Sequence, residues 1–256
     1  MRPDQLVTLE RRDNIAIVSL NRPARHNALV PGLLSEMLLV LKHPDCQGAT
    51  VLILRAEGRS FSTGGDLTGF WNHRENITAY AKTLVGQLNE VILTIYTHPA
   101  TVICAVQGQV TGGSLGFLLA ADHVIMRREV TITPYYSVVG FSPDGGWTAL
   151  LPDIIGRQQA MHWLASNASY DASHCEALGL AQQVVENDCD AAALSRAEEV
   201  ASNQSGSISK SRQLLNTRVG ILRQRLEAER ENFVSQVQTQ QALDGISTFL
   251  RRQENG

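Results

Sequence analysis

Short apolar runs alternate with longer amphipathic stretches along most of this chain, and the alternation predicts a layered α/β arrangement. Leu6 to Glu10 and Ile15 to Leu20 flank the polar Arg11-Arg12-Asp13-Asn14, which predicts an N-terminal β-hairpin. Pro31 opens a helix running to about Leu41. Thr50 to Arg55 is the next strand. Ile77 to Tyr96 has helical periodicity and stops before His98-Pro99, because the residue ahead of a proline is driven out of the helical region. Thr101 to Val106 is a strand, Gly112 to Ala121 a helix and Asp122 to Met126 another strand.

After Gly146 the character changes. Gly156 to Ala165 and Asp171 to Leu178 read as helices, Gln182 to Val185 as a short strand, and Ala191 to Ala201 as a helix ending in the loop-like Ser202 to Ser207. The last segment places Leu222, Leu226, Phe233 and Val237 on one helical face, which needs a partner either in its own domain or on another subunit. The expected organisation is a core domain over 1–200 and a C-terminal helical region over 201–256.

Composition narrows the class. The 256 residues are 43% hydrophobic and 18% charged, as in an ordinary folded protein. A net charge of −3 with no Lys/Arg-rich block argues against nucleic acid as a partner. The four cysteines are far apart, the seven histidines lack metal-ligand spacing, and Gly112-Gly113-Ser-Leu-Gly116 lacks the Gly-x-Gly start of a dinucleotide fingerprint, so no disulfide framework, metal or nucleotide cofactor is expected. No apolar stretch reads as a signal peptide or membrane span, and the cytoplasm is the expected compartment.

Two glycine-rich turns carry the candidate chemistry. Gly58-Arg-Ser-Phe-Ser-Thr-Gly-Gly-Asp-Leu67 follows Val51-Leu52-Ile53-Leu54, and Gly108-Gln-Val-Thr-Gly-Gly-Ser-Leu-Gly-Phe117 follows Val102 to Val106. Backbone N–H groups are unpaired where a strand gives way to a helix, and glycine lets a ligand come close to them. Taken singly, each glycine pair merely permits a tight turn. Together, amides from two turns can converge on one carbonyl oxygen as an oxyanion hole.

The chain resembles the enoyl-CoA hydratase/isomerase (crotonase) superfamily in four ordered motifs: Asn21-Arg-Pro-Ala-Arg-His-Asn-Ala-Leu29, Phe61-Ser-Thr-Gly-Gly-Asp-Leu67, Ala105-Val-Gln-Gly108 with Gly112-Gly113, and Gly140-Phe-Ser-Pro-Asp-Gly-Gly146. The resemblance implies a crotonase-like fold of repeated ββα units with a C-terminal helical region. It implies an acyl thioester substrate, of coenzyme A or of a protein-bound phosphopantetheine, with Gly65 and Gly113 holding the enolate oxygen. No cofactor is implied beyond the coenzyme A of the substrate itself. The family's habit of building trimers from C-terminal helices implies a homotrimer or a dimer of trimers.

Residue by residue, the resemblance puts Arg25 near the coenzyme's phosphates, against an ordinary solvated loop charge. It puts Ala28, Ser62, Gly64 and Leu67 along the adenine and pantetheine path, and Phe70, Trp71 and His73 near the acyl pocket. Asp66 reads as an acceptor that fixes its loop. The two glutamates of the family's hydratases fall at Gly116 and Tyr136, neither of which is a carboxylate, so hydration is disfavoured. Asp144 is the remaining acid and implies double-bond isomerisation, with Phe141, Trp147 and Tyr136 available to raise its pKa by burial. Tyr136 either donates a hydrogen bond to substrate or packs. The rival expectations are another crotonase-fold activity (hydrolase, decarboxylase, lyase or hydratase) and a non-catalytic acyl-CoA-binding protein whose Asp144 faces solvent.

Overall fold

In the computed structural model, which describes residues 5–254, the chain opens with an antiparallel hairpin of β1 (Val7–Arg12) and β2 (Ile15–Leu20). The ladder extends to Arg12 opposite Ile15, so Arg11 and Arg12 belong to the strand; the turn shrinks to Asp13 and Asn14, with Asp13 left-handed at φ 47°. Next come α1 (Pro31–Leu41), the single turn α2 (Pro44–Gln47), β3 (Val51–Ala56), α3 (Leu67–Asn72) and the long α4 (Ile77–Tyr96). They lead into β4 (Thr101–Val106), β5 (Gln109–Thr111), α5 (Leu115–Leu119), β6 (His123–Arg127), β7 (Thr131–Thr133) and α6 (Tyr136–Val139). The remainder is α7 (Leu151–Ile155), α8 (Arg157–Ser166), β8 (Tyr170–Asp171), α9 (Ala172–Ala177), β9 (Gln183–Val185), α10 (Cys189–Ser202), α11 (Ser205–Leu215), α12 (Val219–Val237) and α13 (Gln240–Glu254).

The main sheet has the order β1-β2-β3-β4-β6-β9, parallel from β2 onward. The inner strands β2, β3 and β4 are buried on both faces because both faces are covered. Ala16, Val18, Leu52, Leu54, Val102 and Cys104 look toward α1, α4 and α12, whereas Ile17, Ile53, Ile103 and Ile125 meet Ala193 and Ala197 of α10. A second sheet, β5-β7-β8, takes β5 from the second glycine-rich turn; the isolated bridge Ser62 to Val110 ties the first turn to it, and the bridge Leu29 to Gly65 ties that turn to the segment ahead of α1. The turns are thereby hung between two sheets rather than left as surface loops.

One expectation fails, and one reading left open is decided. The 202–207 segment is not a loop throughout, since α11 begins at Ser205. Its helix is anchored by Arg212, which is buried and bonds Asp122 together with the carbonyls of Ile95 and His98; this docking overrides the weak helix propensity of the Ser/Gly composition. The stripe Leu222, Leu226, Phe233 and Val237 is buried against the chain's own core, with α12 lying along α4, and Asn89 of α4 donates to the Leu226 carbonyl at 2.9 Å. That face therefore has its partner within the chain and offers no surface for a neighbouring subunit.

Leu226 is wholly buried, so Leu226→Ala leaves a cavity in the α4/α12 seam. The expected cost is roughly 2–5 kcal/mol in urea unfolding monitored by circular dichroism.

Candidate active site

Both glycine turns face one cavity of about 520 Å³, lined by Gly65, Gly113, Tyr136 and Asp144. The Leu29 bridge uses the Gly64 carbonyl (2.7 Å) and the Asp66 N–H (3.0 Å), and in this parallel pattern the Gly65 N–H points out of the ladder. Gly113 is the second residue of a 3₁₀ turn over Gly112–Ser114 that opens α5; its N–H belongs to the first turn, which has no acceptor within the helix. The expected helix over 112–121 is thus a 3₁₀ turn followed by a short α-helix.

Asp144 stands against Gly113. A methyl group built on Gly113 would lie 2.9 and 3.1 Å from the two carboxylate oxygens, and one on Gly145 would lie 2.3 Å from the Gly113 carbonyl oxygen. The 144–146 segment can approach this closely only because both positions lack a side chain. Asp144 itself is buried, with 7% of its surface exposed. The Tyr136 hydroxyl donates to Asp144 Oδ1 at 2.6 Å and lies 3.0 Å from the Asp144 carbonyl oxygen. Burial pushes the Asp144 carboxyl up to about 7, against the Tyr136 hydrogen bond, which lowers it; the nearby Glu229 carboxylate raises it further. The Tyr136 phenol, also buried and next to that carboxylate, is pushed well above its usual value and remains a donor.

The rest of the cavity divides into two regions. Phe70, Phe141 and Phe233 form a mutual ring cluster with centroids 5.1 to 5.8 Å apart, joined by Leu84, Val139 and Leu250. The rim carries Arg25, Asp66, Leu67, Thr68 and Ala28. Asp66 caps α3 by accepting from Thr68 N–H at 3.0 Å, and it pairs with Arg22 at 2.9 Å and Arg25 at 3.1 Å. Burial raises its pKa, but the two guanidiniums outweigh that and hold it below the ordinary carboxylate range.

The sequence profile of the enoyl-CoA hydratase/isomerase family matches residues 10–255. The chain belongs to the enoyl-CoA hydratase/isomerase family. YhaR of Bacillus subtilis, which carries the same hydratase/isomerase description, is 30% identical over 65% of this chain and 64% of its own length. A 4-chlorobenzoyl coenzyme A dehalogenase of Arthrobacter is 29% identical over 71% of this chain and 66% of its own. Ethylmalonyl-CoA decarboxylase of Homo sapiens is 27% identical over 77% and 64%. The alignments thus span about two-thirds of these relatives, 64–66% of their lengths. The crystal structure of an enoyl-CoA hydratase from Bacillus halodurans superposes with a TM-score of 0.87 over 95% of this chain and 100% of that one, at 23% identity, which is a likeness of fold.

Within the enoyl-CoA hydratase/isomerase fold, most of the residues singled out from sequence converge on the cavity: Gly64, Gly65, Gly113, Tyr136 and Asp144, with Arg25, Ala28, Asp66, Leu67 and Phe70. Ser62 does not. It is fully buried and its hydroxyl bonds the Asn27 carbonyl at 2.8 Å, so it holds the turn together. Trp71 and His73 also lie outside the cavity lining, and His73 stacks on Tyr80 with centroids 4.5 Å apart. Tyr136 packs edge-on against Trp147, and its hydroxyl goes to Asp144, a partner not read from sequence. The position of a hydratase glutamate at Gly116 is closed: a methyl group there would sit 2.5 Å from the Gly145 carbonyl oxygen and 2.5 Å from Ile92.

Sequence reasoning missed Arg22, Thr68, Leu84, Val139, Phe249 and Leu250 as cavity or rim residues, and Glu229 behind it. Phe233 was visible as part of an apolar stripe, though not as a wall of the site. Leu250 and Phe249 reach the cavity because α13 folds back onto α3 and α6, a long-range docking that no local pattern signals. Among the described residues there is no cluster of His, Cys, Asp or Glu that could hold a metal ion, and no helix long and apolar enough to cross a membrane.

A carboxyl with a higher pKa in the folded than in the unfolded chain favours folding when protonated. The Asp144 contribution is therefore complete below about pH 4, its unfolded value, and is lost as pH rises through about 7. Asp144→Asn removes this dependence. The variant is expected to gain stability relative to the parent between pH 4 and 8, reaching a few kcal/mol, as read by urea unfolding at each pH.

Proposed function

We propose that the chain is an acyl-CoA enzyme of the isomerase kind, moving a carbon–carbon double bond with Asp144 as the single acid/base. The observation that supports this most is one buried carboxyl, raised to about 7 by burial, set against an oxyanion turn with, among the described residues, no second carboxylate lining the cavity except the ion-paired Asp66 at the rim. The thioester oxygen of a β,γ-unsaturated substrate accepts hydrogen bonds from the Gly65 and Gly113 amides. The Asp144 carboxylate takes the α proton, the electrons move through the dienolate onto that oxygen, and the Asp144 carboxyl, whose proton exchanges with solvent between the two steps, gives a proton to the γ carbon as the electrons return. The product is the α,β-unsaturated thioester. No water and no external oxidant enters the balance.

A pKa close to neutrality suits both halves of this exchange, because base and conjugate acid are both populated. Tyr136 supports it by orienting one carboxylate oxygen through its hydrogen bond, which leaves the other for substrate. The phenylalanine cluster suits an apolar acyl group, and Arg25 on the rim suits the phosphates of a coenzyme A or phosphopantetheine carrier. A purely binding role would leave Asp144 free to face solvent, whereas it is buried at the cavity wall.

Unsaturated acyl-CoA thioesters incubated in heavy water should exchange at the α and γ carbons, read by mass spectrometry. Asp144→Asn should lose roughly 10²–10⁴-fold in rate with coenzyme A affinity within a few fold. No exchange in any thioester would remove the isomerase reading in favour of the dehalogenation or decarboxylation named among the relatives. Strong hydration by the unmodified chain would contradict it outright.

The same reading carries a homotrimer or a dimer of trimers in the cytoplasm. The cysteines are buried free thiols, which suits a reducing compartment. With the α12 stripe buried internally, Leu214, Leu215 and Ile221, exposed around the α11/α12 junction, are the grouped apolar side chains that suit a neighbour, whereas Leu39, Ile154 and Met161 are exposed elsewhere along the chain. Light scattering should give a trimeric or hexameric mass at micromolar concentration, and a monomeric mass would contradict assembly.

A further inference from the structure

Behind the Asp144 segment lies a second buried carboxylate that the reaction itself does not touch. Glu229 of α12 has 4% of its surface exposed. Its Oε2 accepts from the Gly146 N–H at 2.8 Å; its Oε1 accepts from the Thr148 N–H at 2.7 Å, the Thr148 hydroxyl at 2.7 Å and the Ala149 N–H at 2.9 Å. All four donors are neutral. Burial raises the Glu229 pKa and these hydrogen bonds oppose that rise; three of the donors are backbone amides, which cannot accept a hydrogen bond, so the geometry fits the ionised side chain held in a nest of amides.

The consequence for the site is mechanical as well as electrostatic. Gly145 rests on the backbone of Gly113, and Gly146 is tied to Glu229, so the short segment carrying Asp144 is fixed between the oxyanion turn in front and α12 behind. Two further ties join the same segment to the C-terminal helices. Gln236 Nε2 donates to the Gly140 carbonyl at 2.9 Å, and a methyl group on Gly245 of α13 would fall 2.3 Å from the Val139 carbonyl oxygen.

We propose that Glu229 is the positioning residue for Asp144: it fixes the 146–149 turn that aims the carboxyl at the cavity, and it keeps a negative charge behind that carboxyl. This rests on the acid/base reading of Asp144. The charged and titratable groups facing Asp144 are Tyr136 of α6 and Glu229 of α12. From α4 and α5 the turn is faced by Leu88, Ile92 and Gly116, none of which titrates. Of the α12 cations, Arg225 is engaged with Asp153 and the Ala149 carbonyl, and Arg230, next to Glu229 in the chain, is paired with Glu227.

The test compares Glu229→Gln, which removes the charge, with Thr148→Val, which removes one donor and keeps it. Glu229→Gln should lower kcat by about tenfold or more with KM within about threefold, and shift the acidic limb of the kcat–pH profile down by about one unit, since the carboxylate form of Asp144 is then opposed by less negative charge. Thr148→Val should lower kcat by a few fold and leave that limb where it is. A second readout needs no turnover: the pH midpoint of the stability difference between the parent and Asp144→Asn, measured again in the Glu229→Gln background, should fall with the kinetic limb. If Asp144→Asn retains full activity the acid/base reading fails, while the stability midpoint still judges Glu229. An unmoved midpoint overturns the proposal. Should Glu229→Gln not fold, unchanged kcat in Thr148→Val overturns it, and reduced kcat at constant KM supports it.

Discussion

Removing the Asp144 carboxyl from water is the constraint around which the site is arranged. An isolated carboxylate in an apolar setting is costly, and it responds by holding its proton more tightly. Here the cost is limited by the Tyr136 hydroxyl and increased by Glu229, and the balance raises the carboxyl to about 7. Such a group can be kept dry only if the backbone around it is held against close neighbours. That requirement accounts for the glycines at 113 and 145, whose missing side chains let one turn lie directly on the other.

The same packing restricts the chemistry. With Gly116 under the Gly145 carbonyl and Ile92, no carboxylate can stand where a hydratase would carry one, and a change of sequence at that position alone would displace the turn that presents Asp144. Tyr136 occupies the other position and is committed to Asp144 by a 2.6 Å hydrogen bond. Among the described residues the carboxyl packed against the Gly113 turn is Asp144, and the packing at Gly116 leaves no space for a second beside it.

Much of this was legible in the sequence. The strands β2, β3 and β4 declare themselves by continuous apolar runs, and α4 by its period, since these elements are decided by burial on known faces. The two glycine turns and Asp144 could be named from their order along the chain. What could not be read was contact between distant segments. Ser62 looked like a lining residue by its motif, yet it faces inward to the Asn27 carbonyl. The α12 stripe had the right spacing for an interface, but spacing does not say whether the surface that covers it belongs to the same chain. Glu229 sits on the polar-rich run of that helix, and only the folded chain brings its carboxylate to the amides of 146, 148 and 149.

The central claim is that one buried carboxyl at position 144 exchanges protons near neutrality. Carbon-13 NMR titration of the chain labelled at aspartate carboxyls, with the Asp144 signal assigned by its absence in Asp144→Asn, tests this directly. The account predicts a step centred at about pH 7. A step centred at about pH 4, the range of a solvated aspartate, would contradict it.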